Sequence, residues 1–281
     1  MLDEIKLSEL IASAFKEDVG DGDHSSNSCI SDEATGKAIL KIKQQGVLAG
    51  VDVARYIFNY ADESIIFNPF ISDGAVIKSG DIAFEVIGPI RTLLKCERLV
   101  LNTMQRMSGI ATNTKKYVDK ISSYKTRLLD TRKTTPNFRL LEKEAVRIGG
   151  GLNHRFGLYD MIMLKDNHID SCGGIEKAIQ KANDYIKIHH LNLSIEIETR
   201  SIDDVIQVMK TGGVNRIMFD NFSPTEINKA LELVDGKYET EASGGIHYDN
   251  IELYAATGVD FISVGALIHQ AQSIDLSMKC I

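Results

Sequence analysis

Cysteine is sparse and scattered in this 281-residue chain, where Cys29, Cys96, Cys172 and Cys280 form neither a CxxC pair nor a zinc-ligand spacing. They read as reduced thiols of a cytoplasmic protein, and no zinc site is expected. No apolar run approaches the roughly 20 residues needed to span a membrane, so no membrane partner is expected. Positive charge is not in excess either. The net charge is −7, whereas a nucleic-acid binder wants a broad basic surface, which argues against nucleic acid as a partner. A secretory signal is missing at the start. Asp3, Glu4 and Lys6 lead instead into a helical pattern with Leu7, Leu10, Ile11, Ala14 and Phe15 on one face. No GxGxxG dinucleotide fingerprint follows the first strand. What is present is a hydrophobic content of 43%, enough core for one or two domains.

About the first hundred residues read as a small α+β unit. Ala38, Leu40 and Ile42 alternate with Ile39, Lys41 and Lys43, the period of a half-buried strand, and Ile82, Phe84 and Val86 repeat it. A helix is predicted from about Lys95 into the 120s, through Leu99, Met104 and Val118. Beyond Thr126 short apolar strands alternate with helices. Arg127–Leu129 ends in Asp130, Met161–Leu164 in Lys165, Ser194–Ile197 in Glu198, and Arg216–Phe219 in Asp220. Lys237–Ala242 ends in Ser243-Gly244-Gly245, and Phe261–Val264 in Gly265. The last four ends recur at roughly 22 residues, close to one β-α unit. The clearest intervening helix carries Ile202, Val205, Ile206 and Met209 at i, i+3, i+4 and i+7. Serial β-α units imply parallel strands, in a doubly wound sheet or a barrel, with ligands at the carboxyl ends. Functional groups gathered at those ends, without a dinucleotide fingerprint, favour the barrel.

The densest chemistry lies in Asp130-Thr131-Arg132-Lys133-Thr134-Thr135-Pro136, Gly149-Gly150-Gly151-Leu152-Asn153-His154-Arg155 and Lys165-Asp166-Asn167-His168. Arginines, lysines and histidines crowd together in an acidic protein, which suits a small substrate with several negative charges. A solvated basic face is the bland alternative. Arg132 could serve a ligand or only an acid on a nearby loop, and His154 and Arg155 follow glycines that allow close backbone approach. Lys165 leaves a fork open between a Schiff-base nucleophile and a permanent cation for phosphate. Glu198 and Asp220 suit Mg²⁺, held directly or through water, or a developing positive charge on a sugar; pairing with nearby lysines is the alternative. Glu196 shares the face of Glu198 one layer deeper and reads as core support. Ser243-Gly244-Gly245 and Val264-Gly265-Ala266 leave backbone N–H groups for a phosphate at the last strand ends.

These blocks carry a family resemblance. Glu17-Asp18-Val19-Gly20, Glu97-Arg98 through Leu101-Asn102 and Ser108-Gly109-Ile110-Ala111-Thr112 precede DTRKTTP, GGGLNHR, LKDNHI, EIE, DN, EASGG and SVGAL in order. In that order and spacing, over nearly its whole length, the chain resembles the quinolinate phosphoribosyltransferases, or carboxylating nicotinate-nucleotide pyrophosphorylases, of the type II phosphoribosyltransferase family.

The resemblance implies an α/β protein with an N-terminal α/β sandwich, residues 1–110, and an open, TIM-like α/β barrel, residues 111–269. The tail from about 270 to 281 would pack back on the sandwich. It also implies a homodimer in which Arg98 reaches the partner's site to bind a quinolinate carboxylate. Thr131, Arg132, His154, Arg155 and Lys165 match the remaining substrate and phosphate pocket. Lys133 resembles the lysine that meets 5-phosphoribosyl 1-diphosphate, Glu198 and Asp220 its ribose- and Mg²⁺-side acids. Ser243 to Gly245 and Val264 to Ala266 correspond to the 5′-phosphate cradle. The implied reaction joins quinolinate to 5-phosphoribosyl 1-diphosphate, giving nicotinate mononucleotide, diphosphate and carbon dioxide in NAD biosynthesis, with Lys133, Glu198 and Asp220 as catalytic groups and Mg²⁺ as cofactor.

Two departures stand out. Asn137-Phe138 follows Pro136 where the family usually has glycine, and asparagine tolerates the positive φ such a turn needs. Gly22-Asp23-His24-Ser25-Ser26 replaces the usual acid-apolar-threonine pattern. The rival readings are a paralogous transferase associated with molybdenum transport, a lysine Schiff-base lyase, and a barrel that only senses anionic metabolites.

Overall fold

The computed structural model describes residues 3–281. In chain order it contains α1 (Glu4–Val19), α2 (His24–Cys29), β1 (Thr35–Ile42), β2 (Gly46–Val47), α3 (Val51–Ala61), β3 (Ile66–Pro69), β4 (Val76–Ile77), β5 (Ile82–Pro89) and α4 (Ile90–Lys120). Then come β6 (Arg127–Leu129), α5 (Arg139–Ile148), β7 (Ile162–Leu164), α6 (Asp166–Cys172), α7 (Ile175–Ile188), β8 (Ile195–Thr199), α8 (Ile202–Thr211) and β9 (Arg216–Asp220). The chain closes with α9 (Pro224–Val234), β10 (Glu239–Ser243), α10 (Ile251–Ala255), β11 (Phe261–Ser263), α11 (Ala266–His269) and β12 (Leu276–Cys280). Two compact units form. One takes the chain up to Lys116 with Thr134–Gly150 and Leu267–Ile281; the other takes Tyr117–Lys133 and Gly151–Ala266.

The first unit is built on an antiparallel sheet of order β12-β1-β5-β3. Ala38, Leu40 and Ile42 of β1 are fully buried, as their alternation predicts. On β5 the alternation breaks. Leu40 pairs with Phe84 but Lys41 with Ile82, so Ala83 is an extra residue in the ladder. Such a bulge flips side-chain parity. Ala83 and Phe84 are therefore both buried, while Ile82 is 38% exposed and drops off the predicted face. The rings of Phe58, Phe67 and Phe84 pack together, the closest pair with centroids 4.5 Å apart. The tail strand β12 pairs antiparallel with β1. Asp23 caps α2 by accepting the Ser26 N–H, so the departure at Gly22–Ser26 forms a capped helical turn. The long helix begins at Ile90, directly after Pro89, five residues before the Lys95 expected. Asn137 sits at φ 62, the left-handed conformation that the missing glycine would otherwise have supplied.

The second unit is a six-stranded parallel sheet of order β6-β11-β10-β9-β8-β7. From β7 to β11 each strand pairs with the next in sequence, and helices fill the connections. Leu152 forms a parallel bridge with Leu129 beside β6. Strands of such a sheet are covered on both sides and lose the simple alternation of a half-buried strand. In β8, Ile195, Ile197 and Thr199 are buried, and so is Glu196 between them. On α8 the buried positions are Val205 and Val208, while Ile206 is 45% exposed. The predicted stripe is thus corrected. It turns toward Val208, because only a narrow strip of this helix is covered.

Candidate active site

Every strand of the second unit delivers a polar group at its carboxyl end, and these groups line one cavity of ≈ 600 Å³, a volume suited to a small ligand. Local backbone chemistry explains how they arrive there. Leu152 donates to the Leu128 carbonyl at 2.8 Å and accepts from the Asp130 N–H at 3.0 Å, which lays the segment after the glycines alongside β6. The buried Asp130 carboxylate then accepts the His154 N–H at 2.8 Å. His154 and Arg155 are thereby held beside Thr131, Arg132 and Lys133, and the Thr131 hydroxyl accepts the Lys133 N–H at 3.0 Å.

After β7, the Lys165 N–H donates to His168 Nδ1 at 3.0 Å. The histidine of LKDNHI therefore braces the strand-to-helix turn rather than facing ligand. The Lys165 ammonium is ion-paired with Glu198 and 44% exposed. It is not the desolvated, isolated lysine that Schiff-base chemistry calls for. Asp220 follows on the neighbouring strand: Glu198 pairs in register with Met218, so Asp220 lies one pleat step beyond it on the same face. At the end of β10, Gly244 has φ 89, and a Cβ there would stand 2.3 Å from Asn221 Oδ1 and 2.8 Å from its backbone nitrogen. Only glycine fits that close approach.

The cavity lining carries both charges, with Glu198, Asp220 and Glu241 set among its cations. Arg132, Lys133, Arg155 and Lys165 line it. Arg132 Nε is buried without a hydrogen-bond partner among the described residues, and a buried donor left so marks a place for an acceptor. Burial and the neighbouring Arg132 charge pull Arg155 below the usual guanidinium range. His154 Nε2 lies 3.0 Å from Glu196 and 3.3 Å from Glu241. Burial opposes charge on that ring, but the two carboxylates outweigh it and raise His154 to about 9. The Arg155 N–H at 2.7 Å from Nδ1 suits a neutral ring instead. Burial, reinforced by Glu241, raises Glu196 to about 7. For Glu241 burial acts upward too, but hydrogen bonding to His154 prevails and the net direction is downward.

Of the residues expected from the sequence, Thr131, Arg132, Lys133, His154, Arg155, Lys165, Glu198, Asp220, Ser243, Gly244 and Gly245 share this cavity. Arg98 belongs to the first unit, on α4, with its side chain 69% exposed and 3.4 Å from Glu97. Val264, Gly265 and Ala266 are absent from the lining. The Val264 N–H, expected to be open to a phosphate, instead donates to the Leu129 carbonyl at 3.0 Å. The structure adds Met163, Met218, Asn221, Glu241 and Ser263. Three of these could have been found from strand parity. Met163, Met218 and Glu241 each stand two residues before a strand-end group and so face the same way.

Four cations and two carboxylates at adjacent strand ends give this cavity the chemistry to hold a small polyanion. Comparison with known proteins bears on which family built it. The model for the quinolinate phosphoribosyl transferase C-terminal domain matches residues 110–279, and that for the N-terminal domain residues 23–108. A probable carboxylating nicotinate-nucleotide pyrophosphorylase of Bacillus subtilis is 40% identical over 277 residues, covering 99% of this chain and 94% of its own. The crystal structure of NadC from Streptococcus pyogenes superposes with a TM-score of 0.93 at 40% identity, covering 99% of this chain and 97% of that one. The nicotinate-nucleotide pyrophosphorylase of Francisella tularensis gives a TM-score of 0.92 at 38% identity, covering 100% and 98%. With both domain models matched in order along one chain, the protein belongs to the quinolinate phosphoribosyl transferase family.

Proposed function

We propose that the chain transfers phosphoribosyl from 5-phosphoribosyl 1-diphosphate to quinolinate with decarboxylation, giving nicotinate mononucleotide, diphosphate and carbon dioxide for NAD biosynthesis. The observation that carries this reading is the unpartnered Arg132 Nε in a cavity that also gathers Lys133, Arg155 and Lys165. Guanidinium groups suit the two carboxylates of quinolinate, and ammonium groups suit phosphates. His154 lies on the same cationic wall. Thr131 orders the loop that carries Arg132 and Lys133.

Fixing the pyridine ring lets its nitrogen attack the ribose anomeric carbon as the bond to diphosphate breaks and its electron pair leaves with the diphosphate. Such positioning supplies several kcal/mol at most. The Glu198 carboxylate stabilises the positive charge that develops on the ribose, an electrostatic role that needs a fixed acid at that point. Lys133 neutralises the departing diphosphate. Once alkylated, the ring nitrogen is positive and accepts the electron pair freed when the adjacent carboxylate leaves as carbon dioxide; the ring carbon then takes a proton from solvent.

Glu198 and Asp220 offer hard oxygen ligands on one face of adjacent strands, which fits Mg²⁺. They would hold it directly or through water, and when bound it would neutralise diphosphate charge. Ser243, Gly244 and Gly245 form the 5′-phosphate cradle. In a homodimer, Arg98 is contributed to the partner's site; its exposure on α4 supports this role. The four unpaired cysteines support a cytoplasmic setting. No helix among the described residues is long and apolar enough to cross a membrane.

The test is carbon dioxide release from carboxyl-labelled quinolinate in the presence of Mg²⁺. Release that requires 5-phosphoribosyl 1-diphosphate establishes the reaction. No release from a folded dimer turns attention to the molybdenum-linked paralogue and to anion sensing.

A further inference from the structure

Two threonines of the Asp130–Pro136 block, Thr134 and Thr135, take no part in the chemistry above, yet both are fastened to helix α5. Thr135 donates twice to Glu142, from its N–H to Oε2 at 2.8 Å and from its hydroxyl to Oε1 at 2.9 Å. The Thr134 hydroxyl accepts from Arg139 Nε at 2.9 Å. Glu142 is fully buried, and Arg106 of α4 meets its Oε1 with Nε at 2.9 Å and Nη2 at 2.8 Å. The rest of that guanidinium holds backbone near the end of α11. Nη1 donates to the Ala271 carbonyl at 3.0 Å, and Nη2 to that of Ile268 at 2.9 Å.

Taking an ion pair out of water is costly unless good geometry and further hydrogen bonds compensate. Both carboxylate oxygens of Glu142 are occupied here, and the loop supplies the additional donors. An apolar pair of similar volume would fill the space between α4 and α5, but it offers nothing for the Thr135 N–H and hydroxyl to bond. Lys133 is the residue that gains from the anchor. Its side chain is exposed, so the backbone rather than packing aims the ammonium. That backbone is held on both sides. The Thr131 hydroxyl accepts the Lys133 N–H at 3.0 Å, and Glu142 grips the chain two residues further on. Arg132 depends less on the anchor, because its Nε is already buried.

We propose that Glu142, braced by Arg106, is a positioning residue that acts through Thr135 to aim Lys133 at the leaving diphosphate. This role rests on the 5-phosphoribosyl 1-diphosphate reading given above. Neither Glu142 nor Thr135 lines the cavity, so neither touches substrate. The anchor orders the loop before any ligand arrives, which spares binding the entropy of immobilising it. A charge so placed needs no rearrangement as the diphosphate departs.

The test combines kinetics with hydrogen exchange of the loop amides in the ligand-free protein. Thr135→Val removes one hydroxyl at an exposed position and keeps the volume, so its melting temperature should stay within about 2 °C of the parent. Its kcat/KM for 5-phosphoribosyl 1-diphosphate should fall about tenfold, the scale of one hydrogen bond to a charged group. KM for quinolinate should stay within about twofold. Thr135→Ser keeps the hydroxyl and should return activity to within about twofold of the parent. In a Lys133→Ala background, Thr135→Val should cost no further activity. Exchange of the loop amides should be faster in Thr135→Val and Glu142→Gln than in the parent. Unchanged kinetics in Thr135→Val, an equal loss in Thr135→Ser, a loss additive with Lys133→Ala, or unchanged loop exchange each overturn the proposal. Thr135→Val decides even if Glu142→Gln fails to fold. Absence of quinolinate turnover in the wild type would instead strike the reaction, and loop exchange alone would then decide whether the anchor exists.

Discussion

Lys165 and Glu198, delivered by the adjacent parallel strands β7 and β8, are ion-paired inside the cavity they both line. The pair fixes a cation and an anion beside each other before any ligand arrives. Replacing Glu198 by glutamine keeps the shape and removes the charge proposed to stabilise the ribose. The expected result is a fall in kcat of about 10² to 10³ with the fold intact. Borohydride treatment with a carbonyl compound should leave Lys165 unmodified, because its ammonium is paired and partly solvated. A trapped adduct on Lys165 would restore the Schiff-base reading.

Arg132 is poised for a ligand by its unpartnered Nε. Arg132→Ala should lower kcat/KM for quinolinate at least about a hundredfold, the cost of losing a charged hydrogen-bond donor. Because no protein contact to that atom is lost, the melting temperature should stay within about 2 °C. Near-normal activity in a folded variant would sink the site assignment.

Gly244 is confined by backbone as well as side chain. Gly244→Ala places a methyl group 2.8 Å from the Asn221 nitrogen at a φ of 89. Strain of this kind should cost about 2 kcal/mol, read as a lower urea midpoint. KM for 5-phosphoribosyl 1-diphosphate should rise alongside it. A variant as stable and active as the parent would remove Ser243–Gly245 from the phosphate cradle.

His154 makes stability fall with alkali. Its pKa is raised from 6.5 to about 9 in the folded chain. A raised pKa means that the folded state binds the proton more tightly, so this contribution is complete below about pH 6.5 and is lost as pH climbs through 9. The contribution is on the order of 3 kcal/mol. Glu196, raised to about 7, acts in the same direction over a lower window. Urea midpoints measured from pH 6 to 9.5 should decline in the wild type and decline less in His154→Ala. Equal slopes would show that the cluster is not protonated as described.

The residues that meet the cavity were legible because each sits where a parallel strand must end. Lys165, Glu198, Asp220 and Ser243 follow short apolar runs, and strand ends in this architecture converge on one face. Asn137 was legible for a different reason: asparagine is among the few residues that accept the φ of 62 the turn adopts. Local pattern misled where the ladder changed step. The extra residue Ala83 pushes Ile82 outward, and no periodicity within β5 announces it. Ile206 likewise fits a helical stripe by spacing, yet the neighbours of α8 cover Val208 instead.

By itself the sequence determined the order of strands and helices, the chemical kind of group at each strand end, and the family, because spacing along a chain is a one-dimensional property. Tertiary structure alone decided that Glu196, Arg216, Glu241 and His154 form one cluster, drawn from three strands and a loop whose members lie up to 87 positions apart in the chain. It also decided that His168 braces a turn while His154 faces the cavity. Charge neutralisation between buried groups depends on distances of about 3 to 4 Å in space, and the pairing of strands β8, β9 and β10 sets those distances.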